Sequence, residues 1–203
     1  MIVTRRILWV LSCWSYLISP EILPDVLELI RSVIDPSNAN SDVVTKYQAT
    51  VTLKSVIETE NFKSSMLINL YPAFVQSLCQ LTLNLEECEN RSSVVNLIGD
   101  IVYIMGCRVR TMLQPIASHL CALWKDCEPT SPVKSSILDT LARLIKASGR
   151  TSDVLHPALF SLIADVLGHE GAFFARKEAC SLWLALIRDT SVYSVDLDNF
   201  FKM

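Results

Sequence analysis

The sequence predicts an all-α chain, an α-α superhelix of antiparallel helix pairs, and three observations predict it. An apolar–x–proline motif returns four times, a basic-led apolar register returns five times at a similar period, and the composition is apolar with few turn formers. Of the 203 residues 51% are hydrophobic, with only five glycines and eight prolines. Such a chain is too apolar for disorder and too poor in turn residues for an all-β fold.

The proline motif is Ile22-Leu23-Pro24, Leu70-Tyr71-Pro72, Leu113-Gln114-Pro115 and Leu155-His156-Pro157, with proline-to-proline steps of 48, 43 and 42 residues. These steps lie in or just beyond the ~40–47-residue period of HEAT and armadillo repeats. Relative to each proline, positions −2, +2, +6 and +9 read Ile22, Val26, Ile30, Val33; Leu70, Phe74, Leu78, Leu81; Leu113, Ala117, Cys121, Trp124; and Leu155, Leu159, Ile163, Val166. All are apolar and fall on one face of a 3.6-residue helix, the buried stripe of the second helix of each repeat. Proline is tolerated in the first turn, where its missing N–H has no intrahelical partner.

The first helices carry a basic residue followed by apolar residues at +3 and +7: Arg6/Trp9/Cys13, Lys46/Ala49/Leu53, Arg91/Val94/Ile98, Lys134/Ile137/Leu141 and Arg176/Ala179/Trp183, at steps of 40, 45, 43 and 42 residues. Two interleaved registers give about four and a half repeats, approximately 1–38, 41–87, 90–128, 132–169 and an incomplete 172–203. Asp35-Pro36-Ser37-Asn38, Glu86-Glu87-Cys88-Glu89-Asn90, Glu128-Pro129-Thr130-Ser131-Pro132 and Gly168-His169-Glu170-Gly171 read as inter-repeat turns. No stretch is biased enough for a domain linker, so 1–203 reads as one HEAT/armadillo-type solenoid of about nine helices. Leu78, Ile163, Trp124 and Trp183 are expected in its core. Helical pattern begins at Thr4-Arg5-Arg6 and stops in Asn199-Phe200-Phe201-Lys202-Met203, where a fifth second helix is due. The expectation is an internal piece of a longer array, with the outer faces of its first and last helix pairs bare.

Catalysis and small-ligand chemistry find little support. There is no G-x-x-x-x-G-K-[ST], G-x-G-x-x-G, G-x-S-x-G or H-E-x-x-H, and no enzyme, cofactor or metal is expected. His119, His156 and His169 read as surface residues. His119, Cys121 and Cys127 are the only metal set worth weighing, but residues two apart on a helix face different ways. The seven cysteines include no C-x-x-C, and Cys13, Cys121 and Cys180 read as reduced core thiols of a cytosolic or nuclear protein. Asn90-Arg91-Ser92 matches a glycosylation sequon, though Asn90 reads more simply as an N-cap. With a net charge of −3 and no basic stripe, direct nucleic-acid binding is not expected.

Membrane insertion is not expected either. Arg5-Arg6 followed by the uncharged run Ile7 to Ile18 has the outline of a signal peptide, yet it fits the repeat register and lacks a small-x-small cleavage site. The uncharged run Ser64 to Leu85 is 22 residues, enough to span a bilayer. Asn69, Gln76, Gln80 and Asn84 line one side of it, however, as in an amphipathic soluble helix.

Several local patterns carry a family resemblance: Arg5-Arg6-x-x-Trp9-x-x-x-x-Trp14, Lys46-x-x-Ala49-Thr50-x-Thr52-Leu53, Leu123-Trp124-Lys125, Ile137-Leu138-x-Thr140-Leu141 and Leu182-Trp183-Leu184. In this order they resemble the central HEAT repeats of importin-beta-type karyopherins, nearest the importin-eleven branch. Thr45 stands where such repeats often have valine, and the family's amino-terminal Ran-contacting region has no counterpart in these 203 residues. The resemblance implies a nuclear transport receptor of cytoplasm, nucleus and nuclear pore. Its implied partners are protein cargo, together with Ran GTPase and nucleoporins through the full-length protein, and its second helices line the concave cargo side. Opposite the core stripe those helices carry Glu28, Ser32 and Asp35; Gln76 and Gln80; His119 and Asp126; Ser161 and Asp165. The acids among them suit a basic cargo segment, although an ordinary solvated helix face gives the same pattern. A generic HEAT scaffold or adaptor subunit is the competing function class.

Overall fold

The protein is described by a computed structural model covering residues 2–168 and 170–189. Among these residues the chain is all-α, with nine α-helices and no strand: α1 Ile2–Cys13, α2 Leu23–Ile34, α3 Val43–Ile57, α4 Tyr71–Asn84, α5 Cys88–Met105, α6 Leu113–Asp126, α7 Val133–Ser148, α8 His156–Gly168 and α9 Arg176–Asp189. Each of the four repeated prolines lies in the first turn of its helix, as the motif requires. The stub expected around Asn199–Met203, and His169, lie outside the described residues.

Local chemistry sets the helix ends. Asp42 caps α3, its Oδ1 accepting the Thr45 N–H at 2.7 Å. Gly106 and Gly149 follow α5 and α7 with φ of +52° and +58°, a left-handed turn that ends a helix cheaply only at glycine. The α5 start differs from expectation: the helix already begins at Cys88, so Asn90 lies inside its first turn and donates to Glu87 Oε2 at 2.6 Å. The N-cap reading of Asn90 is therefore replaced.

The chain divides into two compact units, residues 1–105 and 106–203. In the first, α2 packs on α3 and α4, α4 on α5, and α1 on α3, around Leu27, Ile30, Leu53, Phe74, Leu78, Ile98 and Ile101. In the second, α6 packs on α7, α8 on α9, and α7 on α9, around Ile116, Leu120, Ile137, Leu141, Ile163 and Leu182. In both, a proline-led helix lies against the basic-led helix that follows it.

The registers mostly mark the core. In the proline register Ile22 is exposed and Leu70 and Cys121 are half-buried, while the other members are buried. In the basic-led register Ala49, Leu53, Val94, Ile98, Ile137, Leu141 and Ala179 are buried, but Trp9 and Cys13 are exposed and Trp183 is half-buried. Only one face of α1 is covered, by α3, and Leu8 is its single buried residue. Trp183 reflects the difficulty of fully enclosing an indole.

Neither apolar run forms a free-standing span. Ser64 to Leu85 is divided into a 3₁₀ turn, Ser64–Leu67, and α4, whose Gln76, Gln80 and Asn84 are exposed opposite buried Phe74, Leu78 and Leu81. By length and composition the stretch Cys88–Asp126 is apolar enough to cross a bilayer, but half of its apolar window is buried within the protein, as in a soluble core helix.

Candidate protein-binding surface

The repeating basic residue has a structural task that explains its spacing. Lys46 Nζ donates to the carbonyl oxygens of Asp35, at 2.9 Å, and Pro36, at 3.4 Å, just past α2. Arg91 Nη2 donates to the Leu85 carbonyl just past α4 at 2.5 Å. In each case a cation meets the unsatisfied carbonyls and negative dipole end of the preceding proline-led helix. Lys134 occupies the same register position. Its Nζ lies 4.5 Å from the centroid of the Trp124 ring, in the last turn of α6, and 3.5 Å from Asp165 Oδ2.

That contact changes the role of one candidate. Asp165 Oδ2 also accepts the Trp124 Nε1–H at 3.1 Å, so Asp165 ties α8 to α6 and α7 beside a lysine whose side chain is only 9% exposed. Buried cations need such a partner, and the Trp124 face supplies a cation–π contact as well. Asp165 is a structural anchor at the edge of the surface.

The other candidates divide by commitment. Glu28 is exposed on α2 and pairs with Arg31, which donates from Nε at 3.0 and 2.9 Å and from Nη2 at 2.5 Å. This bond, aided by the Arg31 charge, holds the Glu28 carboxyl below its ordinary pKa. Asp35 Oδ1 accepts from the Ser37 hydroxyl at 2.6 Å and the Ser37 N–H at 2.8 Å, and its pKa is lowered by those bonds. It shapes the turn after α2. Ser32 Oγ donates to the Leu29 carbonyl at 2.7 Å. Gln76 and Gln80 on α4, Asp126 on α6 and Ser161 on α8 are exposed. His119 is half-buried and desolvation lowers its pKa, which favours the neutral imidazole. Within the first unit α2 and α4 pack together, bringing Glu28, Ser32, Gln76 and Gln80 onto neighbouring helices. Within the second, the Trp124–Asp165 bond does the same for the α6 and α8 residues.

Two sequence readings need correction. His156 is buried, not on the surface: its ring sits edge-on to Phe160 with centroids 6.2 Å apart, and Nε2 lies 3.7 Å from Asp153 Oδ1. The 3₁₀ segment Gly149–Leu155 ahead of α8 folds the chain so that this position faces inward. Cys13 and Cys180 are exposed and Cys121 is half-buried, so they are not core thiols; none of the seven cysteines is in a disulfide. Burial raises the Cys121 pKa and pushes that of Cys79 up to about 12. Among the described residues no group of three or more His, Cys, Asp or Glu side chains is placed to hold a metal ion.

Sequence reasoning located no particular residues for the exposed apolar side chains of α1 and the turn after it. Ile2, Val3, Ile7, Trp9 and Val10 on α1, and Trp14 just past it, are all exposed. An apolar side on a helix expected to sit at the edge of an array was the available signal.

Comparison with known proteins finds importins. The chain is 21% identical over 200 residues to Importin-11 of Mus musculus and, equally, of Homo sapiens, covering 98% of this chain and 20% of each relative. It is 23% identical over 182 residues to the Importin beta-like protein kap113 of Schizosaccharomyces pombe, covering 88% of this chain and 18% of that protein. The resemblance is to the importin-beta superfamily, on its importin-11 branch. The importin match runs through both compact units, and the chain spans about a fifth of the length of these curated relatives. No family model matches, and no solved structure does. The relatives carry importin names rather than enzyme names.

Proposed function

We propose that this chain is a segment of a nuclear transport receptor that binds protein cargo and supports import into the nucleus under Ran GTPase control. It acts between cytoplasm and nucleus and at the nuclear pore, without catalysis, cofactor or direct nucleic-acid binding. The observation that carries the proposal is the similarity to importins over 98% of the chain, joined to helices whose two interleaved registers suit a continuous stack. In the full-length protein residues 1–203 form part of a longer solenoid, and Ran and nucleoporins bind through that full-length protein rather than through this segment alone. A repeat solenoid buries its stripes between neighbours and leaves a long ordered face for partners.

Within that face the exposed polar residues of the second helices meet cargo. Asp126 is the acid with most freedom to act on a basic segment. Glu28 does so through its Arg31 pair, and Gln76, Gln80, Ser32 and Ser161 supply neutral hydrogen bonding. Asp35, Asp165 and His119 support the surface from its edge.

The test uses the full-length receptor containing these residues. Cargo captured from cytosol should be released on adding Ran-GTP. Reversing Asp126 to lysine should slow association with a basic cargo and reduce its salt dependence, because exposed charges act mainly on encounter and are screened within ~8–10 Å at physiological salt. A full-length protein that binds neither Ran-GTP nor any pore component would instead be a generic HEAT scaffold.

A further inference from the structure

We infer that the first unit holds a socket between α2, α3 and α4 that takes the carboxylate of one acidic residue, Asp or Glu, from a protein partner. The inference rests on the proposal that the second helices meet protein, and adds the chemistry that one point of that surface selects. A pocket of about 130 Å³ has an apolar part, Ile34, Pro36 and Leu81, and a polar part that includes Lys46, Ser77 and Gln80. Small-molecule sites run to ~300–1,000 Å³, so this one is sized for a single side chain. Its walls are three helices that pack on one another within residues 1–105, and its lining runs from Ile34 to Asn84, with no residue from either end of the chain.

Three donor groups line this pocket. The Lys46 ammonium has three N–H groups; two go to the carbonyls of Asp35 and Pro36, which leaves one. Ser77 is only 6% exposed, and its hydroxyl has no hydrogen-bond partner among the described residues, an arrangement that costs free energy until something pairs with it. Gln80 is exposed on α4 with its carboxamide in no hydrogen bond, while the Asn84 Nδ2 beside it is engaged by the Gln80 carbonyl at 3.1 Å. Charge then selects among acceptors. No acidic side chain lines the pocket, and Asp35, whose carboxyl feels the Lys46 charge, gives its Oδ1 to Ser37. The negative C-terminal ends of α2 and α4 are answered by Lys46 and Arg91, so they do not oppose an incoming anion. A carboxylate there accepts from Lys46 and Ser77 together in charge-assisted hydrogen bonds, whereas a Lys or Arg would set cation against cation. The preference is opposite in sign to that of Asp126 in the second unit.

The test is an NMR titration of this 203-residue chain with three capped tripeptides, acetyl-Ala-Glu-Ala-amide and its Gln and Lys counterparts. The Glu peptide should shift the amides of Ser77, Gln80 and Leu81 saturably in the millimolar range. The Gln peptide should bind about tenfold more weakly, because a neutral acceptor forfeits the charge-assisted bond, and the Lys peptide should not bind. Gln80→Glu, a change at an exposed position, should abolish binding of the Glu peptide and admit the Lys peptide. Lys46→Met should erase the preference for Glu over Gln, and Ser77→Ala should weaken the Glu peptide severalfold with unchanged helicity. If Lys46→Met does not fold, because Lys46 also holds the end of α2, Gln80→Glu decides by itself. No saturable shift with the Glu peptide, shifts confined to other amides, equal binding of the three peptides, or a Gln80→Glu variant that still takes the Glu peptide would each overturn the inference. The transport reading fails separately, by a full-length protein that keeps its cargo when Ran-GTP is added.

Discussion

Helices α1 and α7 carry the same basic-led register, Arg6/Trp9/Cys13 and Lys134/Ile137/Leu141, yet among the described helices they are the least and the most buried. Leu8 is the one buried residue of α1, whereas α7 buries Val133, Lys134, Ser136, Ile137, Leu138, Thr140, Leu141, Ala142, Leu144, Ile145 and Ser148. Helix α7 lies against α6 and α9 and against the 3₁₀ segments flanking α6 and α8, so nearly every side of it meets protein. Helix α1 has one covering helix, α3. Even the leading cation follows this difference: Lys134 is clamped between Trp124 and Asp165, while no described helix precedes α1 to take Arg6. In a repeat protein a stripe specifies what can be buried, and the neighbour decides whether it is.

The largest effect that would break this comparison is in the core. Ile137→Ala should cost about 2–5 kcal/mol, the transfer energy of the lost carbons plus the cavity they leave. Trp9→Ala, the larger truncation at the same register position, should cost under ~0.5 kcal/mol in the dilute monomer. Denaturant unfolding checks both, and equal losses would mean that α1 is as well covered as α7. Leu78→Ala and Ile163→Ala belong with Ile137, since both side chains are buried.

Next in size is the clamp on α7. Lys134→Ala removes a buried stem and leaves Asp165 with the Trp124 donor and partial solvent access, and should cost about 1–2 kcal/mol. Lys134→Met keeps the stem and should recover most of that loss. If methionine is no better than alanine, the charge rather than the packing dominates.

The Asp42 cap of α3 is smaller, about 1 kcal/mol on Asp42→Ala. Its carboxyl is held below the ordinary range by bonds from Thr45, helped by the Arg5 charge. The stabilisation from a lowered folded-state pKa is complete above the unfolded carboxylate pKa of ~3.9 and is lost as pH falls through the folded value. The gap between wild type and Asp42→Ala should therefore close on acidification. Thiol chemistry sharpens the picture without a stability cost. Exposed Cys13, Cys88, Cys107 and Cys180 should alkylate first at pH 8, and Cys79 last, because burial pushes its pKa up to about 12 and the thiolate is the reactive form. Mass-spectrometric labelling reads the order directly.

The all-α fold was legible because periodicity and proline position are local: Pro24, Pro72, Pro115 and Pro157 mark real first turns, and Phe74, Leu78, Leu159 and Ile163 fall in the core as their spacing requires. What the leading cations do was not legible, because Lys46 reaches back to Asp35 and Arg91 to Leu85 across a turn. The side-chain partners of the surface residues were not legible either. Asp165 looked like a solvated acid until the chain brought Trp124 and Lys134 to it from about 41 and 31 positions away, a non-local contact with no periodic signature. His156 failed similarly, since its helix-start position says nothing of which way the preceding 3₁₀ segment turns it.

The central claim, that one register is enclosed in α7 and covered on a single side in α1, is tested most directly by amide hydrogen exchange of this 203-residue chain. The account predicts that α7 exchanges only by global opening, whereas α1 exchanges by local fraying. Equal protection of α1 and α7 would contradict it.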